Sequence, residues 1–349
     1  MKICLFSDVH WSQYSSIVRS RGKRYSVRLE HLVDSMNYME RYAEEAGCTV
    51  FICLGDFFDK PVLNSEEITA LKDVVWSKYR HYFIVGNHEM SSNDLFVNSA
   101  NIFSIMPNSV VIDAPTLICG NILALPYVLD RNRKPLEEYY IDGVAPDIIL
   151  SHNDIAGIQM GEFMSFYGFT VKEIEEFGGL FVNGHIHNAT QFCSNGFNIG
   201  NLCGQNFSED ALKYNHCFWI IDTETKSIDT VENPYSLNFY KIDFTEDSEI
   251  DTINSISSKL KNAVCTIKCK EEDAEYIKAR FGEDENHLIP KNCNVVASRF
   301  LVEHNTPVSG AEIKVEELLV DHLKQFRDYV LSEIGTDEVT VAELNEVLK

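Results

Sequence analysis

The sequence predicts an α/β protein followed by a smaller α+β region. Two observations carry that expectation: short apolar runs alternate with amphipathic stretches over the first 230 residues, and the texture changes after Asn233-Pro234. A third points to chemistry, because five of the apolar runs end on Asp, Asn or His. At 349 residues the chain exceeds one average core, which fits a large domain with an appendage.

In chain order the predicted strands are residues 2–6, 49–54, 81–85, 121–125, 147–150, 179–182 and 217–222, apolar enough to be buried on both faces. Between the first two, a helix is expected over residues 26–46. There Leu29, Leu32, Val33, Met36, Met39 and Ala43 make one apolar stripe, and Gly47 is placed to end it. Residues 236–305 mix strand-like pieces (FYKIDF, AVCTIKC, NVVASRFLVE) with an acidic helix near 271–281. From 311 to 334 a long amphipathic helix aligns Val315, Leu319, Leu323, Phe326 and Val330. Gly335 ends it, and Thr340 with Glu343 forms a capping box for a last short helix. That stripe either docks on its own domain or meets a partner helix or coiled coil. The expected division is therefore 1–232, 233–310 and 311–349.

Hydrophobic content of 45% and charged content of 24% are those of an ordinary globular protein. The apolar run in MKICLFSDVH is too short for a signal segment, and no window approaches the ~20 apolar residues of a membrane span, so a cytoplasmic location without membrane contact is expected. Ten cysteines with no CxxC, several inside strand-like runs (Cys4, Cys53, Cys217), read as reduced core thiols. A net charge of −23 argues against a chain that coats nucleic acid by itself. Carboxylates that hold cations count as negative until the metal arrives, however. Residues 19–28 also hold Arg19, Arg21, Lys23, Arg24 and Arg28 with no acid among them. That stretch either contacts DNA phosphates beside a site or is a solvated loop and first helical turn.

The residues at the strand ends carry the chemistry. LFSDVH supplies Asp8 and His10, ICLGDFFDK supplies Asp56, FIVGNHEM supplies Asn87 and His88, IILSHND supplies His152, and FVNGHIHN supplies His185 and His187. Ligands gather at this edge of an α/β sheet. In extended chain, side chains at i and i+2 point the same way, so His185 and His187 address one centre. One such element is a turn Asp or a hydrogen-bonded His by chance; five in this order are not. Oxygen and nitrogen donors without cysteine suit Mn²⁺, Mg²⁺ or Fe²⁺ rather than a closed zinc site. Seven ligands exceed what one open site needs and suit two ions sharing a carboxylate. Two cations ~3.5–4 Å apart activate water and neutralise a phosphoryl group under in-line attack, so phosphate-ester hydrolysis is the expected reaction. His88 is the candidate to protonate the leaving oxygen or stabilise transition-state charge.

The order and wording of these motifs, from about residue 3 to the NIGNLCGQNFSED stretch, resemble the calcineurin-like metallophosphoesterase superfamily. Within it they resemble the SbcD-type nuclease, the bacterial and phage counterpart of the nuclease subunit of the MRN complex. The resemblance implies a four-layer sandwich of two β-sheets flanked by helices, then a small α+β capping domain and C-terminal helices that bind an SMC-like, SbcC-type coiled-coil ATPase. It implies one Mn²⁺ on Asp8, His10, Asp56 and His187, and a second on Asn87, His152 and His185 with Asp56 bridging. His88 takes the position of the family's catalytic histidine. Asp59 stands where members carry His or Asp, and it orients His88, orients a ligand, or caps the turn. Lys60-Pro61 departs from the Arg that follows GDxxD in the Ser/Thr phosphatases. Glu89 replaces a frequent Asp and is not expected to be a ligand. The implied activity is double-strand 3′-to-5′ exonuclease and single-strand endonuclease cleavage of DNA, by a homodimer within a heterotetramer. The alternatives are a small-molecule phosphatase or cyclic-nucleotide phosphodiesterase of the same superfamily, which needs no added helix pair, and a non-catalytic DNA- or ATPase-binding scaffold. The presence of all seven ligands disfavours the scaffold.

Overall fold

The first sheet grows outward from β1 (Lys2–Phe6) through β2 (Val50–Cys53), β3 (Arg80–Ile84) and β4 (Ser109–Ile112), all parallel. The computed structural model describes residues 1–160, 163–209, 211–245, 260–281 and 295–303. After β4 the chain builds a second sheet from β5 (Thr116–Ile118), β6 (Ile122–Leu125), β7 (Ile148–Ser151), β8 (Leu180–Asn183), β9 (Thr190–Gln191) and β10 (Gly196–Asn198), in the spatial order β9-β10-β8-β7-β6-β5. It then returns to the first sheet with β11 (Cys217–Asp222), antiparallel to β1, and β12 (Ser227–Glu232) at the edge.

Alternate residues of the central strands enter different cores, as the period of two requires. Ile3, Leu5, Ile52 and Ile84 of the first sheet meet Ile122, Ala124, Leu150 and Val182 of the second in one cluster between the sheets. On the other face of the first sheet, Cys4, Phe6, Phe51 and Phe83 pack against helix α1 (Val27–Glu45). The predicted stripe Leu29, Leu32, Val33, Met36, Met39 and Ala43 is buried there, and each fully buried Leu or Met of this kind contributes roughly 1.5–3 kcal/mol. A short helix α2 (Ser65–Ala70) lies on the same side, closed by an Asn64–Glu67 capping box. The outer face of the second sheet (Leu123, Ile149, Phe181) packs on Ile174 of α3 (Val171–Phe177). The protein is thus a pair of mixed sheets flanked by helices. Cys4, Cys53 and Cys217 are buried free thiols.

After Asn233 a separate parallel sheet forms from β13 (Asn238–Asp243), β14 (Ala263–Lys270) and β15 (Val295–Glu303), with α4 (Ala274–Phe281) between the last two strands. It has its own core around Tyr240, Ile242, Ile267 and Ile277, while Phe239 and Val264 join the core beneath α1.

The elements that sequence pattern did not reveal are short or two-faced. The edge strand β12 (SIDTVE) is exposed along nearly its whole length, and β10 (GFN) is only three residues long. The chain divides into two compact units, Met1–Glu303 and His304–Lys349. The second unit, with the expected helix at 311–334 and Val315, Leu319, Leu323, Phe326 and Val330, lies outside the described residues. Among the described residues no helix is long and apolar enough to cross a membrane.

Candidate metal centre

The pairing of β1 and β2 continues past the ends of both strands and assembles the first half of the site. Asp8 N donates to Gly55 O at 3.1 Å, His10 N to Asp56 O at 3.0 Å and Trp11 N to Phe57 O at 2.7 Å. Asp8 and His10 are thereby held alongside Asp56. Behind them Phe57 is driven into an aromatic core, edge-on to Phe103 at 4.8 Å and Phe83 at 5.7 Å, which anchors the GDFF loop. The second sheet supplies the other half. Gly184 N donates to Ser151 O at 2.9 Å, and His185 N reaches across to Asp8 Oδ2 at 3.0 Å. Asp8, His10, Asp56 and His185 all have left-handed φ, between +46° and +72°. Non-glycine residues rarely adopt that region, and its concentration at four adjacent positions is strain stored at a functional site. Two glycines make room for the imidazoles. Gly55 has φ +122° and a Cβ there would overlap the His152 ring; a Cβ on Gly184 would overlap Ser7 Oγ and lie 3.0 Å from His152 Nδ1.

Six of the seven predicted ligands fall into close groups at this edge, and Asn87 stands in the GNH turn beside Asp56 with its Oδ1 buried. Asp8, His10 and His187 form one group and Asp56, His152 and His185 another, with the ligand atoms of each group within 4.8 Å of one another. Asp56 also belongs to a group with His10 and His88, so it stands between the two halves. The GNH turn is pinned to it by His88 N donating to Asp56 Oδ1 at 2.9 Å. Asp8 Oδ1, Asn87 Oδ1, His152 Nε2 and His185 Nδ1 are buried without a hydrogen-bond partner. His152 Nε2 lies 3.1 Å from Asp56 Oδ2, but without hydrogen-bond geometry. An unsatisfied buried polar atom costs about 1–3 kcal/mol, and four at one spot, all oxygen or imidazole nitrogen, are the donor set of a binuclear divalent-metal site. The residues present fit two ions.

Each imidazole is aimed by a partner on its other nitrogen, the usual arrangement for a metal-binding histidine. His10 Nδ1 pairs with Asp59 Oδ1 at 3.0 Å, His152 Nδ1 with Leu54 O at 3.0 Å, His185 Nε2 with Asp154 Oδ1 at 3.0 Å and His187 Nδ1 with Glu209 Oε1 at 2.8 Å. Of the roles open to Asp59, its carboxylate thus takes that of orienting the ligand His10, while its backbone carbonyl receives His88 Nδ1 at 3.1 Å. Gln205 joins two of these partners, its amide donating to Asp59 Oδ1 at 2.7 Å and its N–H to Glu209 Oε2 at 2.9 Å.

Asp154, Glu209 and Gln205 were not singled out in the sequence. Asp154 had a signal, lying two residues after His152 in SHND; Glu209 and Gln205 lie in the NIGNLCGQNFSED stretch, but their roles were not marked there, because only folding brings that loop under His187. Glu89, from which little was expected, is fully buried and receives Gly86 N at 2.7 Å, Asp56 N at 3.1 Å and Phe58 N at 3.0 Å. It is not a ligand, but it braces both ligand loops.

The electrostatics follow from burial and these pairs. Burial alone would raise the Asp56 carboxyl, yet His152, His10 and His88 hold it well below the ordinary carboxylate range. Burial opposes charge on His152, and the surrounding Asp56, Asp8 and Glu89 nevertheless raise it to about 9. Burial and the nearby Asp56 push Glu89 up to about 8. His88 stands at the mouth with a side chain 41% exposed, its Nε2 4.0 Å from Asp56 Oδ2.

The basic stretch is less available than its composition suggested. Arg28 is fully buried, its guanidinium donating to His10 O and Gly204 O at 3.0 Å each, so it braces the ligand loop and cannot face a phosphate; that expectation is corrected. Arg21 pairs with Glu66 at 2.6 Å and Arg24 with Asp73 at 2.5 Å. Arg19 and Lys23 remain exposed.

A family model described as calcineurin-like phosphoesterase matches residues 1–189. No curated protein matches the sequence. A solved structure described as "Structural and Functional Characterization of a Novel Archaeal Phosphodiesterase" shares 15% identity, covering 66% of this chain and 99% of that one, with a TM-score of 0.36. That degree of likeness is too low to bear on fold or function.

Proposed function

Since this chain belongs to the calcineurin-like phosphoesterase family, we propose that it hydrolyses phosphodiesters at a centre of two divalent ions, with Mn²⁺ the preferred metal. The observation that carries the reading is the convergence of four buried, unpartnered ligand atoms on Asp8, Asn87, His152 and His185. Asp8, His10 and His187 would hold one ion and Asn87, His152 and His185 the other, with Asp56 shared. Bound there, the ions supply Lewis-acid polarisation of phosphoryl oxygens and a water made nucleophilic at neutral pH. The chain does the rest. Asp59, Glu209 and Asp154 fix which imidazole nitrogen is free to ligate. His88 has Nδ1 committed to Asp59 O, so its imidazolium form offers the Nε2 proton to the leaving oxygen from the solvent side.

The finer reading is a DNA nuclease with the four-layer sandwich and capping domain of the SbcD type, working in the cytoplasm as a homodimer with an SMC-like ATPase. It draws on the motif order DxH, GDxxD, GNHE, H, GHxH. It also draws on exposed aromatic faces in the chain beyond two ligand motifs, Phe96 after His88 and Phe166 with Tyr167 after His152, suited to base stacking. The burial of Arg28 and the pairing of Arg21 and Arg24 favour a second reading within the same chemistry, a phosphodiesterase of small nucleotides.

One assay series separates them. Purified protein is given linear duplex DNA, single-stranded DNA, bis(p-nitrophenyl) phosphate and a phosphomonoester, with Mn²⁺ or EDTA, alongside Asp56→Asn. Mn²⁺-dependent diester hydrolysis that disappears in a folded Asp56→Asn protein is the expected result. Cleavage of the small diester without DNA keeps the phosphodiesterase and removes the nuclease. Full activity in Asp56→Asn would overturn the shared-carboxylate site.

A further inference from the structure

A cavity of about 400 Å³ opens between the loop that follows His88 and the loop that follows β6, walled by Met90, Leu95, Tyr127, Leu129, Asn132 and Tyr139. A larger one of about 910 Å³ lies at the opposite ends of the strands, where β6, β7 and β8 begin at Ile122, Ile148 and Leu180, away from every ligand. The smaller cavity shares a wall with the metal centre. The Tyr127 ring lies 5.7 Å from the His185 imidazole, and its hydroxyl donates to Asp154 Oδ2 at 3.1 Å, the carboxylate that aims His185. Tyr127 N donates to Val85 O at 3.0 Å, fastening the same loop to the segment that leads to Asn87.

We propose that this cavity is the subsite for a nucleoside, seating one base beside the phosphate held at the metal centre; the inference rests on the phosphodiesterase reading. Its chemistry matches a flat heterocycle with apolar faces and polar edges. Tyr127 and Tyr139 supply aromatic surface, Met90, Leu95 and Leu129 aliphatic surface, and the amides of Asn93 and Asn132 edge partners. Its charge argues against a second phosphate. Asp94 and Lys134 line it together and cancel, and the Lys134 ammonium is shared with Glu138 at 3.9 Å. A neutral group is the one this wall accepts without an unpaired charge.

The test uses the full chain with Mn²⁺ and two diesters, thymidine 5′-(p-nitrophenyl phosphate) and methyl p-nitrophenyl phosphate. Stacking one base on aromatic side chains is worth enough to lower KM for the nucleoside ester about tenfold or more. Asn132→Trp, a substitution at the exposed rim that fills the cavity, should erase that preference and leave kcat/KM for the methyl ester within about twofold, the small change expected of a surface position away from the chemistry. In parallel, saturation-transfer NMR with thymidine in EDTA should show contacts in the wild type and none in Asn132→Trp. An intact nucleoside preference in Asn132→Trp, or no thymidine contacts in the wild type, overturns the subsite. Thymidine contacts without hydrolysis of either ester leave the subsite standing and remove the phosphodiesterase reading.

Discussion

His10 and His187 meet Nε2 to Nε2 at 2.9 Å, while the Nδ1 of each is engaged by a carboxylate, Asp59 for His10 and Glu209 for His187. With both Nδ1 protons donated outward, two lone pairs point at each other and repel unless a proton or a cation lies between them. Burial lowers the His10 imidazole, while Glu209 raises His187 against its burial, so a proton between the two favours His187.

Metal binding should therefore expel protons. His152, raised to about 9, and His187 must both deprotonate to ligate. Calorimetric titration with Mn²⁺ in buffers of different ionisation enthalpy should show proton release at pH 7, with affinity rising toward pH 9. In the metal-free chain the sign reverses. A raised folded-state pKa contributes stability that is fully present below the ordinary imidazole value of 6.5 and is lost as pH rises through about 9. Thermal melts in EDTA should fall across that window, and a flat Tm would show that His152 carries no proton there.

The partners of the ligands should fail one ion at a time. Glu209→Ala loosens His187 and Asp154→Ala loosens His185, each at a cost of about 10–100-fold in metal affinity. Metal titration should find one weakened site in each variant, on different ions. Equal weakening of both sites in either variant would contradict separate positioning.

His88→Ala should keep both ions, since its exposed ring takes no part in the four unpartnered buried atoms. Turnover should fall about 10²–10⁴-fold, as expected for loss of a general acid. Loss of bound metal instead would make His88 a ligand.

Gly184→Ala places a methyl against Ser7 Oγ, 3.0 Å from His152 Nδ1 and 3.1 Å from Asp8 Oδ2. Overpacking of this kind costs about 1–3 kcal/mol, so chemical denaturation should show that loss together with weaker Mn²⁺ binding. Unchanged stability would mean that Ser7 moves aside freely.

Arg28→Met should act on the fold rather than on nucleic acid. It strands Gly204 O, at a cost of about 1–3 kcal/mol for a buried group left unsatisfied, and leaves His10 O held by Ser12 Oγ at 3.2 Å. Any DNA binding should keep the salt dependence of the wild type; a slope reduced by about one would restore Arg28 as a phosphate contact.

Much of this molecule is legible along the chain because the signals are local. The stripe Leu29 to Ala43 has helical spacing, the runs that became β1, β2, β7, β8 and β11 are continuously apolar, and each ligand motif follows a strand within a few residues. The seven candidate ligands could be named for that reason. Local pattern was silent where the partner is distant. Glu209 and Gln205 sit in a loop whose role comes from reaching His187 and Asp59, the latter 146 residues away. Arg28 looked like a phosphate contact in a basic run, but the turn of α1 buries it against the loop it braces. The sequence by itself determined the donor set, because metal chemistry depends on residue type and strand ends recur in order. Only the tertiary structure decided which carboxylate aims which imidazole and which cations face solvent, because those depend on distances between loops that the chain brings together last.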